Sequence, residues 1–180
     1  CSARFICSSL CRLASLHDSE QKHIFNSVFV ITDRRVLNKQ LRETILSFDH
    51  IDGQIEWITD NDNSSKLRDI INDDNTRIVI TTLHRFPVIY KELNSRSGKR
   101  YAIIVDEAHK YKNEFIQDYS TLHDLCMGNK VMLLTATPFN NRPEDIYSML
   151  KLFQIPSKST LKTVENLGAA FKDLISRYKD

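Results

Sequence analysis

Glycine is scarce in this chain of 180 residues, where it occurs only four times, at Gly53, Gly98, Gly128 and Gly168. Consecutive glycines are at least 30 residues apart, so the chain has neither a Gly-x-Gly-x-x-Gly loop nor a Gly-x-x-x-x-Gly-Lys loop. Such loops let backbone N–H groups approach a bound phosphate closely. The sequence therefore excludes a self-sufficient dinucleotide or Walker A phosphate site. It does not exclude a domain that carries the other parts of such a site.

Cysteine and long apolar runs are scarce as well. The four cysteines, Cys1, Cys7, Cys11 and Cys126, are too few and too unevenly placed for a disulfide framework or a zinc site. We expect free thiols in a reducing compartment, and hence a cytoplasmic protein. No apolar run reaches the roughly 18 residues of a membrane span. We therefore expect no membrane partner. No signal-peptide cleavage pattern follows the apolar residues near the N-terminus, so we expect no signal peptide either.

Charges of the two signs are nearly balanced, with 25 Lys and Arg against 23 Asp and Glu and a net charge of +2. This balance neither requires nor excludes a nucleic-acid partner, so the distribution of charge has to decide. Arg34, Arg35, Lys39 and Arg42 lie on the first turns of a predicted helix, where side chains and backbone N–H groups can hold phosphates. The alternative interpretation of this basic set is a solvated helix face.

Strand and helix patterns alternate along the chain. Short apolar, β-branched runs predict strands at 27–32, 55–59, 77–82, 101–105 and 130–134. Helical spacing predicts helices at 37–48, around 115–126 up to Gly128, from Pro143, and at 164–178, the last with Leu174 and Tyr178 facing inward. A further short helix is expected to begin at Ser64, with Ser64 as its N-cap. The alternation predicts an α/β fold with a doubly wound, mainly parallel sheet of about five to seven strands flanked by helices.

Three predicted strands end in conspicuously polar residues. These ends are Thr32-Asp33-Arg34-Arg35, Asp106-Glu107-Ala108-His109 and Thr135-Ala136-Thr137-Pro138. Ligands of parallel sheets bind outside the carboxyl ends of the strands. We therefore expect the three ends to open on one edge and to form the functional site.

The pair of adjacent carboxylates after the fourth strand fits nucleotide hydrolysis. Asp106 is placed to hold Mg²⁺, which keeps several waters and shares phosphate oxygens, and Glu107 to orient and deprotonate the attacking water. His109 is placed to relay the nucleotide state to a neighbouring strand end through a hydrogen bond. The alternative is an acidic helix N-terminus, where Asp and Glu merely favour the helix dipole.

The motif IIVDEAHK followed by LLTATPFNNRPEDIYSMLKLF resembles motifs II and III of superfamily-two helicases and translocases, and its Asp-Glu-Ala-His tetrad resembles that of the DEAH-box type. VFVITDRRVLNKQL and IVITTLHRFPVI resemble the motor of type I restriction enzyme R subunits (HsdR), whereas the part from TATPFNNRPEDIYSMLKLFQ onward is more similar to Swi/Snf-type motors. The resemblance covers residues 12–180. It implies a RecA-like P-loop NTPase lobe over residues 1–155, a helix at 156–180 linking to a second lobe, ATP and Mg²⁺ as cofactors, and duplex DNA as partner.

Carried over by position, the resemblance implies roles for individual residues. Asp106 and Glu107 match the Walker B acids, with Asp106 as the metal ligand, and His109 matches the coupling residue of that motif. Thr135 and Thr137 match the hydroxyls that link the ATP state to DNA contact. The residues matching the nucleic-acid-facing motifs are Thr32, Asp33, Arg34, Thr81 and Thr82, and Arg35 joins them through its charge.

The sequence departs from the family in one part of the ATP site. The phosphate loop would fall near residues 1–3, where Cys1-Ser2-Ala3 stands, and Ser97-Gly98-Lys99 precedes a strand and reads as a turn. We therefore expect that the chain alone does not hydrolyse ATP and lacks a second lobe.

Several functions stay open at this point. The first is the motor lobe of a DNA translocase, as the R subunit of a type I restriction system with methyltransferase and specificity subunits. The others are a Swi/Snf-type helicase fragment and a non-catalytic module that binds nucleic acid or a partner. A receiver or hydrolase fold fits less well, because no Gly-x-Ser-x-Gly elbow occurs.

Overall fold

The structure is a computed structural model that describes residues 2–32, 44, 54–59, 62–82, 98–114, 117–137 and 142–179. The chain divides into two compact units. The first consists of Cys1–Asp106 and Asn129–Met132, and the second of Glu107–Gly128 and Leu133–Asp180.

The first unit is built on a parallel sheet. Its strands are β1 (Ser27–Thr32), β2 (Ile55–Trp57), β3 (Ile78–Thr82), β4 (Tyr101–Val105) and β5 (Lys130–Leu133), and they lie in the order β2-β3-β1-β4-β5. β1 runs parallel to β3 and to β4, and β2 runs parallel to β3. The chain thus leaves the central strand towards one edge, returns through β3 and crosses to β4, which is a doubly wound arrangement.

The strands form where the sequence offers continuous apolar runs. Val28, Phe29, Val30 and Ile31 of β1 are all buried, as expected of a parallel strand covered on both faces. Helix α1 (Ser2–Ala14) packs against β1. Its residues Ile6, Cys7 and Leu10 are fully buried, and their spacing of one and then three residues places them on one helical face.

Arg77 fixes the entry to the sheet. Its guanidinium donates to the carbonyl oxygens of Asn26 and Phe25 at 2.7 Å and of Ala14 at 3.2 Å. Burial lowers the pKa of Arg77, yet these carbonyl groups compensate for its lost hydration. The side chain therefore ties the end of α1 to the segment that leads into β1.

Helix α2 (Ser64–Asn72) also belongs to the first unit. Ser64 was expected as its N-cap, but the Asn63 side chain accepts the hydrogen bond from the Lys66 backbone N–H at 2.8 Å. The expectation for Ser64 was wrong by one residue, because Asn and Ser are both good caps and the asparagine precedes the first turn.

The second unit is mostly helical. It contains a 3₁₀ turn (Ala108–Tyr111) and helices α3 (Gln117–Cys126), α4 (Pro143–Lys151) and α5 (Leu167–Lys179). α4 begins with a proline at its first turn, as predicted, and packs against both the 3₁₀ turn and α5. Gly128 follows α3 with a φ of +81°, a conformation that glycine adopts without steric cost and that suits the predicted helix stop.

The predicted α/β class and the five-stranded parallel arrangement are confirmed within the described residues. The strands expected at 55–59 and 130–134 end earlier, at Trp57 and Leu133, and the last helix begins at Leu167. Leu174 and Tyr178 are not inward, because they are 47% and 55% exposed. α5 packs on α4 through its first turns, where Tyr147 stacks on Phe171.

Two expectations have no structural outcome. The helix expected at 37–48 lies outside the described residues except for Thr44, which is helical. The division into residues 1–155 and 156–180 stays a prediction.

Within the described part of the chain, no helix is both long and apolar enough to cross a membrane.

Candidate functional site

The strand ends of the first unit meet at one edge of its sheet. Thr32 pairs with Thr82 across β1 and β3, and Ile31 pairs with Val105 across β1 and β4. The Asp106 backbone N–H donates to the Ile31 carbonyl at 2.9 Å, which extends this register by one residue. Asp33, Arg34 and Arg35 lie outside the described residues.

The polar side chains at this edge are buried. Thr32, Thr81 and Thr82 are buried, and Asp106 is 5% exposed. The Thr81 hydroxyl donates to the Thr82 carbonyl at 3.3 Å. The three threonines expected to face nucleic acid thus lie inside the described first unit, and their predicted role in DNA contact stays a prediction.

Asp106 fits a magnesium ligand by its chemistry. No group of three or more His, Cys, Asp and Glu side chains among the described residues could hold a metal ion. A metal on Asp106 would therefore take most of its ligands from water and from a bound phosphate. Mg²⁺ is bound in this way, through one or two carboxylates together with waters and substrate oxygens.

The second unit begins with an unusual backbone at Glu107. Its φ of 53° and ψ of 42° lie in the left-handed region, which a residue with a side chain adopts at a cost of about 1–2 kcal/mol. Two hydrogen bonds hold this turn, from the Ala108 N–H to the Leu134 carbonyl at 2.9 Å and from the Lys110 N–H to the Glu107 carbonyl at 3.0 Å. The acid pair precedes a short 3₁₀ turn, so it does not form the first turn of an α-helix that the alternative interpretation required.

Within the second unit, His109 connects Glu107 of the acid motif (Asp106–His109) to Thr135 of the threonine motif (Thr135–Pro138). Its Nδ1 lies 3.1 Å from the Thr135 hydroxyl and 3.4 Å from a Glu107 carboxylate oxygen. The Thr137 backbone N–H donates to the same Thr135 hydroxyl at 3.2 Å. A protonated Nδ1 donates to either neighbour, whereas an unprotonated Nδ1 accepts from the threonine. The structure thus contains the expected contact of His109 with the threonine strand end, while its coupling role stays a prediction.

A polar face of α4 contacts the segment that follows the acid motif, which sequence reasoning missed. Its contacts are Lys112 with Asp145 at 3.5 Å, the Ser148 hydroxyl donating to Glu114 at 2.6 Å, an ion pair of Lys151 with Glu114, and the Tyr119 hydroxyl donating to the Ser148 carbonyl at 2.8 Å. The only sequence signal is the spacing of Asp145, Ser148 and Lys151 by three residues, which places them on one face of a helix.

The pKa of Glu114 reflects these contacts. Burial raises it, but hydrogen bonds from Lys151 and Ser148 and the charge of Lys151 outweigh burial and bring the pKa below its usual value. The pKa of the Tyr119 phenol lies above its usual value, because burial and the nearby Glu114 charge both raise it. Glu114 is therefore a carboxylate in a network of neutral and positively charged donors.

The second unit also has an open cleft of about 470 Å³ beside this network, lined by Glu114, Tyr119, Ser120, His123, Met127, Lys151, Gln154, Ile155 and Pro156. None of these residues belongs to the site predicted from the sequence.

Comparison with known proteins gives a family for most of the chain. The family model described as the SNF2-related domain matches residues 12–170. The chain is 37% identical over 79 residues to the chromodomain-helicase-DNA-binding protein 1-like of Danio rerio, covering 44% of this chain and 8% of that protein. It is 33% identical over 89 residues to the uncharacterized ATP-dependent helicase YqhH of Bacillus subtilis, covering 42% and 15% respectively.

A solved structure shares the fold. The Sulfolobus solfataricus SWI2/SNF2 ATPase core in complex with dsDNA matches with a TM-score of 0.51 and 20% identity, over 86% of this chain and 33% of that one. A likeness at this identity shows the fold, which is that of a RecA-like α/β lobe as expected. The chain spans less than a sixth of the curated relatives named here.

Proposed function

Because the chain belongs to the SNF2-related domain family, we propose that it is a lobe of an ATP-dependent motor that moves along duplex DNA. The observation that carries the proposal is the contact of His109 with both Glu107 and Thr135. This contact joins Glu107 to Thr135 inside the second unit. A motor needs such a link, because hydrolysis at one place has to change the grip on DNA at another.

The proposed chemistry assigns one task to each acidic residue. Asp106 holds Mg²⁺, which neutralises charge on the phosphates when it is bound. Glu107 orients the attacking water and accepts its proton. His109, Thr135 and Thr137 transmit the nucleotide state. Thr32, Asp33, Arg34, Arg35, Thr81 and Thr82 form the proposed phosphate-facing edge for DNA, whose contacts would be independent of base sequence.

The named relatives favour a Swi/Snf-type motor over a restriction subunit. They comprise an ATP-dependent helicase, a chromodomain-helicase-DNA-binding protein and a SWI2/SNF2 ATPase core in complex with dsDNA. None of these similarities supports the finer assignment to a type I restriction system or to the DEAH-box group. Methyltransferase and specificity subunits, a second RecA-like lobe and a cytoplasmic location stay predictions.

The central test is ATP hydrolysis by the full-length gene product with and without duplex DNA. We expect DNA to stimulate turnover. Glu107→Gln keeps the size of the side chain but removes the base, so turnover should fall by about 100-fold or more while binding of a fluorescent ATP analogue is retained. Glu165→Gln, at an exposed position of the second unit, is the matched control. Unchanged turnover in Glu107→Gln would refute the role of Glu107.

A second candidate concerns these 180 residues by themselves, since they contain no glycine-rich phosphate loop. It is a module that binds duplex DNA without hydrolysing ATP. Fluorescence anisotropy with labelled duplex DNA at increasing salt should show binding that weakens as salt rises, because phosphate contacts release counterions. The absence of binding at low salt would remove this candidate.

A further inference from the structure

Residues 107–114 and Tyr119 are held by contacts on two sides within the second unit. On one side, the Ala108 N–H and the His109 ring bond to Leu134 and Thr135. On the other side, Lys112, Glu114 and Tyr119 bond to Asp145, Ser148 and Lys151 along one face of α4. We call this second set of contacts the α4 brace.

Glu114 is the centre of the α4 brace. It accepts from the Ser148 hydroxyl and pairs with Lys151, and Ser148 is itself buried. Lys151 in turn lies 4.4 Å from the centre of the Tyr147 ring, which stacks on Phe171 of α5 at 4.9 Å. A charged group with several hydrogen-bond partners defines a geometry more sharply than an apolar contact, because charge-assisted hydrogen bonds are directional.

The strained backbone of Glu107 needs such support. A residue with a side chain stays in the left-handed region only when its surroundings determine its conformation. The two hydrogen bonds of the turn itself involve Leu134 and Lys110. The α4 brace adds a fixed point for the chain that leaves the turn, five to twelve residues after Glu107.

From this arrangement we infer that Glu114 is a positioning residue, which holds the Glu107–His109 turn so that the His109 ring stays on Thr135. The inference rests on the proposed function only for its effect on turnover. The effect of Glu114 on the Glu107–His109 turn can be measured in the 180-residue chain without ATP or DNA.

The test compares Glu114→Ala, Glu114→Gln and the control Glu165→Gln by NMR of the labelled chain. Glu114→Gln keeps the acceptor for Ser148 but loses the charge. Its Ala108 exchange rate and His109 ring signals should therefore lie between those of Glu114→Ala and those of the unaltered chain. We expect hydrogen exchange at the Ala108 amide to become about tenfold faster in Glu114→Ala, together with a shift of the His109 ring ¹⁵N signals. The Val28 amide, which bonds to Arg77 in the first unit, should keep its protection. Unchanged Ala108 exchange and His109 signals in folded Glu114→Ala would overturn the inference.

A turnover assay then separates the inference from the proposed function. In the full-length gene product, Glu114→Ala should lower kcat about tenfold with little change in KM for ATP, because the variant misplaces a base without touching the nucleotide. A kcat of Glu114→Gln between those of Glu114→Ala and the unaltered protein would support the inference, and an unchanged kcat in both variants would overturn the effect on turnover. If Glu107→Gln also turned over normally, the proposed function would fail while the NMR result on the turn still stood.

Discussion

Replacing Glu107 by glycine should stabilise the protein. The surrounding structure holds Glu107 in a left-handed backbone conformation, which costs a residue with a side chain about 1–2 kcal/mol, and glycine removes this cost. Glycine also gives the unfolded chain more freedom, which costs about 0.5–1 kcal/mol. The net gain in the free energy of unfolding should be about 0.5–1 kcal/mol. For a chain of this length, that raises Tm by about 1–4 °C.

Urea unfolding followed by circular dichroism measures this gain, with three comparisons. Glu107→Ala loses the same carboxylate but keeps the steric cost, so it should gain nothing. Gln21→Gly, at another left-handed position with a φ of 60°, should gain a similar amount. Lys172→Gly, in the ordinary helical backbone of α5, should lose about 0.7 kcal/mol. A loss in Glu107→Gly as large as that in Lys172→Gly would refute the reasoning from backbone strain.

Three further changes test the packing. Arg77→Met should lower the free energy of unfolding by about 3 kcal/mol, because carbonyl groups at the entry to the sheet lose their donor; a urea titration showing a loss under 1 kcal/mol would contradict this. Hydrogen bonds from Lys66 and from Thr59 lower the pKa of Asp62 to about 2, so Asp62→Asn should cost about 1 kcal/mol at pH 7. That cost should fade between about pH 4 and pH 2 as the carboxylate is protonated, and an equal cost at both ends would refute it. Tyr119→Phe should cost about 1 kcal/mol by removing the bond to the Ser148 carbonyl, with thermal unfolding as the measurement and no change in Tm as the contrary result.

The central strands of the sheet could be predicted from the sequence because they are apolar and buried on both faces. The runs SVFVIT and YAIIV form β1 and β4 with the expected bounds, since short continuous apolar runs rich in β-branched residues are typical of parallel strands buried on both faces. Helix ends were less well determined. Asn63 and Ser64 are adjacent and both cap helices well, so local chemistry could not choose between them.

The acid motif was predictable, whereas the conformation that presents it was not. Left-handed turns are usually indicated by glycine or asparagine, and a glutamate gives no such signal. The α4 brace depends on how α4 packs against the 3₁₀ turn, and Glu114 is more than thirty residues from both Ser148 and Lys151. Such long-range pairing follows from the packed structure and has no local pattern in the sequence.

The backbone at Glu107 also has a consequence for how this protein could evolve or be engineered. A selection that rewards folding alone would favour glycine at this position, because glycine relieves the turn. The same substitution would remove the carboxylate on which the proposed hydrolysis depends. Screens for thermostable variants should therefore enrich a sequence that folds better and works worse, and only a screen for activity would keep the glutamate.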